Sequence, residues 1–188
     1  SLTVDLSSNP PDSLNFTQGF DGTGAATYCE SGGGPLACDS DGVGVIDDEI
    51  TNVDNTPTPP LQSITVNFSK QVKALSFHFL DLFFDNQVGP EDQEAALVYA
   101  NGNSADTRTF FAIDQFPFNG GYREVLNPFG GLNISSLTFF ANDTNDNVAD
   151  PDYALAGIEV QAVPLPAAGW LLLAGLGGLG ALRRFRKA

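Results

Sequence analysis

Leu61-Gln62-Ser63-Ile64-Thr65-Val66-Asn67-Phe68, followed after Ser69-Lys70-Gln71 by Val72-Lys73-Ala74-Leu75-Ser76-Phe77-His78-Phe79-Leu80-Asp81-Leu82-Phe83-Phe84, decides the fold class of this chain. Apolar and polar residues alternate, and successive side chains of a strand point to opposite faces. With one slip after Leu61, residues Leu61, Ile64, Val66 and Phe68 share a face. In the second segment Leu75, Phe77 and Phe79 are expected to point inward and Ser76 and His78 outward. Outward from this pair, further strands are expected over 2–6, 94–100, 107–113, 121–126, 132–141 and 153–162. Asn101-Gly102, Asn119-Gly120-Gly121 and Gly130-Gly131 supply turn chemistry between them. Short strands with no intervening helical pattern predict an all-β fold, an antiparallel β-sandwich of jelly-roll type, over residues 1–162.

The remaining 26 residues, 163–188, read differently. From Leu165 to Leu182 no residue is charged. As a helix, eighteen residues reach about 27 Å, close to the hydrocarbon thickness of a bilayer. Pro164 and Pro166 stand where a first helical turn tolerates proline, and Trp170 lies near the same end, as an interfacial anchor does. Arg183, Arg184, Arg186 and Lys187 follow at once. The positive-inside rule keeps them cytoplasmic and places residues 1–163 on the outer side of the membrane. Small-xxx-small spacings such as Ala174/Gly178 and Gly177/Ala181 offer a face for another membrane protein; the frequency of Gly in such segments accounts for them equally well.

The charge distribution narrows the partners. All 23 Asp and Glu precede Val163, where only Lys70, Lys73, Arg108 and Arg123 oppose them, giving 4 − 23 = −19. Such a surface repels nucleic acid, whose phosphates need Lys and Arg to displace their counterions; divalent cations suit it. The densest carboxylate cluster is Asp39, Asp41, Asp47, Asp48 and Glu49, broken by Gly42 and Gly44. Calcium takes six to eight hard oxygen ligands, which closely spaced acids on a Gly-permitted turn can supply. A solvated acidic loop is the competing reading, and the spacing is not that of an EF-hand. Cys29 and Cys38 are close enough in sequence for a disulfide closing a short loop, a constraint of about 2–3 kcal/mol; a pair of free thiols is the alternative. The chain starts at Ser1 with no apolar stretch, as expected once a secretory signal peptide has been removed.

Nothing points to catalysis. With His78 as the single histidine, no Ser-His-Asp or Cys-His arrangement can be picked out, and no phosphate-binding or dinucleotide fingerprint is present. The chain is read as a non-enzyme. A carbohydrate-binding module needs an aromatic platform, for which the tyrosines are Tyr28, Tyr99, Tyr122 and Tyr153.

Val163-Pro164-Leu165-Pro166-Ala167-Ala168, a Leu/Gly-rich helix and a terminal Arg cluster, in that order, resemble the VPLPA variant of the PEP-CTERM sorting signal. That resemblance implies recognition by an exosortase, removal of the helix and transfer to the cell surface, often beside exopolysaccharide systems. The alternative is a helix that is never cleaved, which makes the chain a permanently anchored accessory subunit of a membrane complex. The domain itself resembles exported β-sandwiches that precede such tails, and jelly-roll carbohydrate-binding modules in which a structural calcium bridges an early loop to the last strand. On that likeness Asp152 joins Asp48 and Glu49 as a calcium ligand.

Overall fold

A computed structural model of the chain describes residues 2–15, 42–46, 49–51, 62–84, 94–115, 121–141 and 153–164. Its strands are β1 (Val4–Asn9), β2 (Leu14–Asn15), β3 (Gly44–Val45), β4 (Ser63–Leu80), β5 (Phe83–Phe84), β6 (Ala95–Ala100), β7 (Arg108–Phe111), β8 (Asp114–Gln115), β9 (Arg123–Leu126), β10 (Ile134–Ala141) and β11 (Ala154–Ala162). Ser104–Asp106 form a 3₁₀ turn. The architecture is all-β and mostly antiparallel, as the alternation predicts; the parallel pair is the short β5–β8 contact.

The two segments that decide the fold are one strand of 18 residues, β4. Its first half lies between β1 and β10, with Val4 opposite Phe68 and Leu137 opposite Val66. Its second half lies between β11 and β9, with Ile158 and Val125 both opposite Phe77. The sheet then runs on from β10 through β6 to β7. Asn101 and Gly102 make the β6 turn with φ of 57° and 70°, and the Asn101 side chain accepts the Ser135 amide at 2.7 Å, tying that turn to the start of β10.

The core side of β4 does not keep one alternation phase. Ile64, Val66, Phe68, Val72 and Ala74 are buried, and then Phe77 and Phe79 are. The switch occurs where Val160 pairs with Ala74 and Glu159 with Ser76, so that Leu75 is an extra residue on β4. Such a β-bulge carries one unpaired residue and re-aims the side chains beyond it. Leu75 is therefore 45 % exposed, contrary to the inward position its alternation suggests. Ser76 and His78 do leave the main core, yet they are not solvent-facing: they are 1 % and 9 % exposed. Ala156 is a matching extra residue on β11, between the pairs Leu155–Phe79 and Gly157–His78.

Phe77 is the hub of the core. Its ring meets Phe79, Phe110, Phe129 and Phe139 edge to face at centroid separations of 6.2, 6.1, 6.1 and 5.2 Å. This geometry suits the aromatic quadrupole. Tyr153 packs on Phe79 at 5.4 Å, and its buried hydroxyl donates to the Phe140 carbonyl at 3.2 Å. Gly121, at φ 59°, lies against the backbone of Asp81 and Leu82, where a Cβ would stand 2.8 Å from the Asp81 carbonyl carbon. No side chain fits there.

Replacing Leu75 by Ser should shift stability by no more than about 0.5 kcal/mol, as at an ordinary surface site. Phe77→Ala should cost about 3–5 kcal/mol by leaving a cavity among four rings. Urea denaturation of both variants tests this assignment of the bulge.

Candidate functional site

Two groups of polar side chains stand out against this frame, one on each side of the second half of β4. The first follows from the bulge. Ser76 and His78, two residues apart, share the face opposite Phe77 and Phe79, where Tyr122 covers them from the β9 side. Ser76 Oγ lies 3.0 Å from His78 Nε2, and His78 Nδ1 lies 2.9 Å from the Tyr122 hydroxyl. The imidazole and phenol rings are stacked at 6.1 Å. Serine and tyrosine hydroxyls can each donate or accept, so both ring nitrogens are satisfied in either tautomer.

A hydroxyl 3.0 Å from an imidazole nitrogen has the spacing of a nucleophile and its base. With Ser76 almost fully buried, no substrate carbonyl reaches Oγ. Burial first, and then the charges of Glu124 and Glu159, push the Tyr122 phenol above its ordinary pKa, so it remains a neutral hydrogen-bonding group. The arrangement holds β4 to β9. Reading His78 as an outward strand residue misses it, although a serine two positions before the histidine is the same-face spacing of a strand.

The second group surrounds Glu94, just before β6. Its amide donates to the Phe83 carbonyl at 3.2 Å, its carbonyl accepts from Ala112 at 2.9 Å, and its side chain accepts from the Phe83 amide. One residue thus ties β5, β6 and the end of β7 together. Burial pushes the Glu94 carboxyl up from 4.5 to about 8; the Phe83 hydrogen bond opposes this, and the neighbouring charges of Glu49 and Asp81 add to it. Asp81 sits at a left-handed turn, φ 55°, directly after β4.

Glu49 belongs to the acidic segment singled out in the sequence, and that segment is stitched to the last strand. Val45 donates to the Glu49 carbonyl at 2.8 Å, Ile50 donates to the Tyr153 carbonyl at 2.8 Å, and Val43 and Leu155 exchange amide bonds at 3.0 and 3.1 Å. Thr51 donates to the Gln62 side chain at 2.8 Å. Of the expected calcium ligands, Asp39, Asp41, Asp47, Asp48 and Asp152 lie outside the described residues, as do Cys29 and Cys38. Among the described residues no group of three or more His, Cys, Asp or Glu is arranged to hold a metal ion. Glu94 and Asp81 are not in the sequence-based ligand set; the charges of Glu49 and Asp81 are both felt at Glu94.

Of the sorting motif, Val163 and Pro164 are described: Val163 donates to the Gln71 carbonyl at 2.9 Å, just past the end of β11. Leu165, Pro166, Ala167, Arg183, Arg184, Arg186 and Lys187 lie outside the described residues. Among the described residues no helix is long and apolar enough to cross a membrane. Tyr99 lies on β6, Tyr122 and Tyr153 lie just before β9 and β11, and Tyr153 is fully buried. Compared with protein-family profiles, curated proteins and solved structures, the chain matches none.

Glu94 gives a pH signature. Its folded pKa lies above its unfolded value, so the contribution of the protonated carboxyl is full below pH 4.5 and lost as the pH rises through about 8. Melting temperature should fall over this window, and Glu94→Gln, which still accepts the Phe83 amide, should remove that part of the fall. Tyr122→Phe should cost about 1 kcal/mol in urea unfolding, the value of one hydrogen bond, with His78 left one partner short.

Proposed function

We propose that this chain is a non-catalytic, exported bacterial surface or extracellular-matrix protein. In this reading residues 1–162 form a jelly-roll-like β-sandwich on the periplasmic side, and 165–182 cross the inner membrane as one helix with Arg183, Arg184, Arg186 and Lys187 in the cytoplasm. An exosortase recognises Val163, Pro164, Leu165, Pro166 and Ala167 and transfers the domain to the cell surface, where exopolysaccharide is a partner. The observation that carries the reading is the contiguous tail: motif, eighteen uncharged residues, four cations. The end of β11 supports it, since the last backbone bond of the sheet is made by Val163, the first residue of the motif.

Calcium completes the proposal. Carboxylates suit a hard cation: Glu94 feels the charges of Glu49 and Asp81, and Ile50 is bonded to Tyr153, the residue after Asp152. A cation held by the loop of Asp39, Asp41, Asp47, Asp48 and Glu49 together with Asp152 would neutralise repulsion that now falls on Glu94. Its role there is structural, fastening the early loop to β11.

Two measurements test the two parts. The intact mass of the native protein should show loss of the segment after the motif; a mass retaining Lys187 overturns sorting and leaves a permanent anchor. Calcium added to the purified chain should release heat and raise the melting temperature, with reversal by chelator and a weaker effect in Glu49→Gln. If neither heat nor melting temperature responds, the ion is withdrawn and the sorting address stands unaffected.

A further inference from the structure

Both ends of the folded domain are fastened to the same three residues of β4. Ser69 donates to the Thr3 carbonyl at 3.1 Å, and the Thr3 amide donates to Ser69 Oγ at 2.9 Å, so β1 begins there. Val163 donates to the Gln71 carbonyl, so β11 ends there. Ser69, Lys70 and Gln71 are all exposed, at the point where β4 exchanges one set of neighbours for the other. Lys73, also exposed, stands opposite Gln161.

These two lysines are half of the basic residues that precede Val163. The other two are engaged elsewhere: Arg108 pairs with Asp106 at 3.0 Å, and Arg123 is half-buried with its guanidinium carbon 6.0 Å from the Phe110 ring centre. By register the nearest described carboxylates flanking β4 are Asp5, opposite Asn67, and Glu159, opposite Ser76. Each stands three residues along β4 from the nearer lysine, about 10 Å at strand spacing, which exceeds the Debye length of about 8 Å at physiological salt. The turn from Asn127 to Asn133, on the other flank, carries no charge. In a chain of net charge −15 this is a cationic spot located at the exit of the tail.

Only Pro164 separates Val163 from Leu165, the first residue of the uncharged stretch, and two residues reach about 7 Å. We propose that Lys70 and Lys73 dock on anionic lipid headgroups and seat the domain on the membrane at the point where the chain leaves it. The proposal rests on the reading of 165–182 as a membrane span. Given that span, the short connection keeps both lysines near the headgroups, where a cation is attracted and more distant acidic loops are screened. The occupant is the lipid surface, because on that reading only Pro164 separates Val163, which makes the last bond of the sheet, from the span.

The test uses the full chain in vesicles of phosphatidylcholine with or without phosphatidylglycerol, treated with a membrane-impermeant amine reagent. Modification of Lys70 and Lys73 should slow by about threefold or more in anionic vesicles and recover at high salt. Hydrogen exchange gives a second readout: the amides of Ser69–Lys73 should slow in anionic vesicles in the native chain but not in a Lys70→Gln, Lys73→Gln variant. Equal reactivity in both lipids overturns the docking, and equal protection in both, as a second protein copy would give, overturns it too. Alkaline extraction of the same vesicles separates the causes: a chain retained in the membrane with reactive lysines refutes the docking alone, whereas a chain released refutes the span and the docking together.

Discussion

One extra residue, Leu75, sets the direction of every ring in the second half of β4. A strand fixes its side chains in strict alternation, so a single-residue shift exchanges its two faces. In the first half the even-numbered residues Ile64, Val66 and Phe68 line the core. Continued unbroken, that phase would bury Ser76 and His78 among the phenylalanines and send Phe77 and Phe79 outward. The bulge reverses it, and the ring cluster of Phe77 with Phe79, Phe110, Phe129 and Phe139 exists because of the reversal. The same event sends Ser76 and His78 to the opposite face, where Tyr122 completes their hydrogen bonds. Core and polar network are two consequences of one insertion, and the answering insertion at Ala156 keeps β11 in step with it.

The same bulge separates the legible parts of the fold from the hidden ones. Each longer strand is announced by its own alternation and bounded by its own turn residues, so the strand positions and the all-β class can be read from local pattern. The continuity of β4 cannot. Ser69-Lys70-Gln71 has the composition of a turn, and it is extended only because β1 and β11 meet there and hold it from one flank. Leu75 looks like any inward leucine, since a bulge is decided by the partner strand and leaves no mark on the residue that bulges. The two-residue strands β2, β3, β5 and β8 are too short to show a period at all.

The polar groups divide in the same way. Glu49 is conspicuous because it ends a run of acids, and a run is a local property. Glu94 sits in Glu91-Asp92-Gln93-Glu94, which reads as solvated chain, and it becomes buried only when β5 arrives to hydrogen-bond with it on both sides of its Cα. Its raised pKa therefore reports a tertiary event. In a chain with 23 acids and 8 bases, a carboxyl placed beside Glu49 and Asp81 must keep its proton or have positive charge close by.

β11 relates these places to one another. It starts beside Tyr153, where Ile50 fastens the acidic segment, and it ends beside Val163, where the tail departs next to Lys70. Nine strand residues at about 3.3 Å each put these two places about 30 Å apart. That is several Debye lengths at physiological salt. In the proposed arrangement the strand acts as a spacer: its cationic end lies against the lipid, and its acidic end stands where lipid charge is no longer felt. The carboxylates of Glu49 and Asp81, beside a Glu94 that holds its proton, are then not repelled by anionic headgroups. In the calcium proposal a divalent ion from the exterior would bind at this far end, where the early loop meets the last strand.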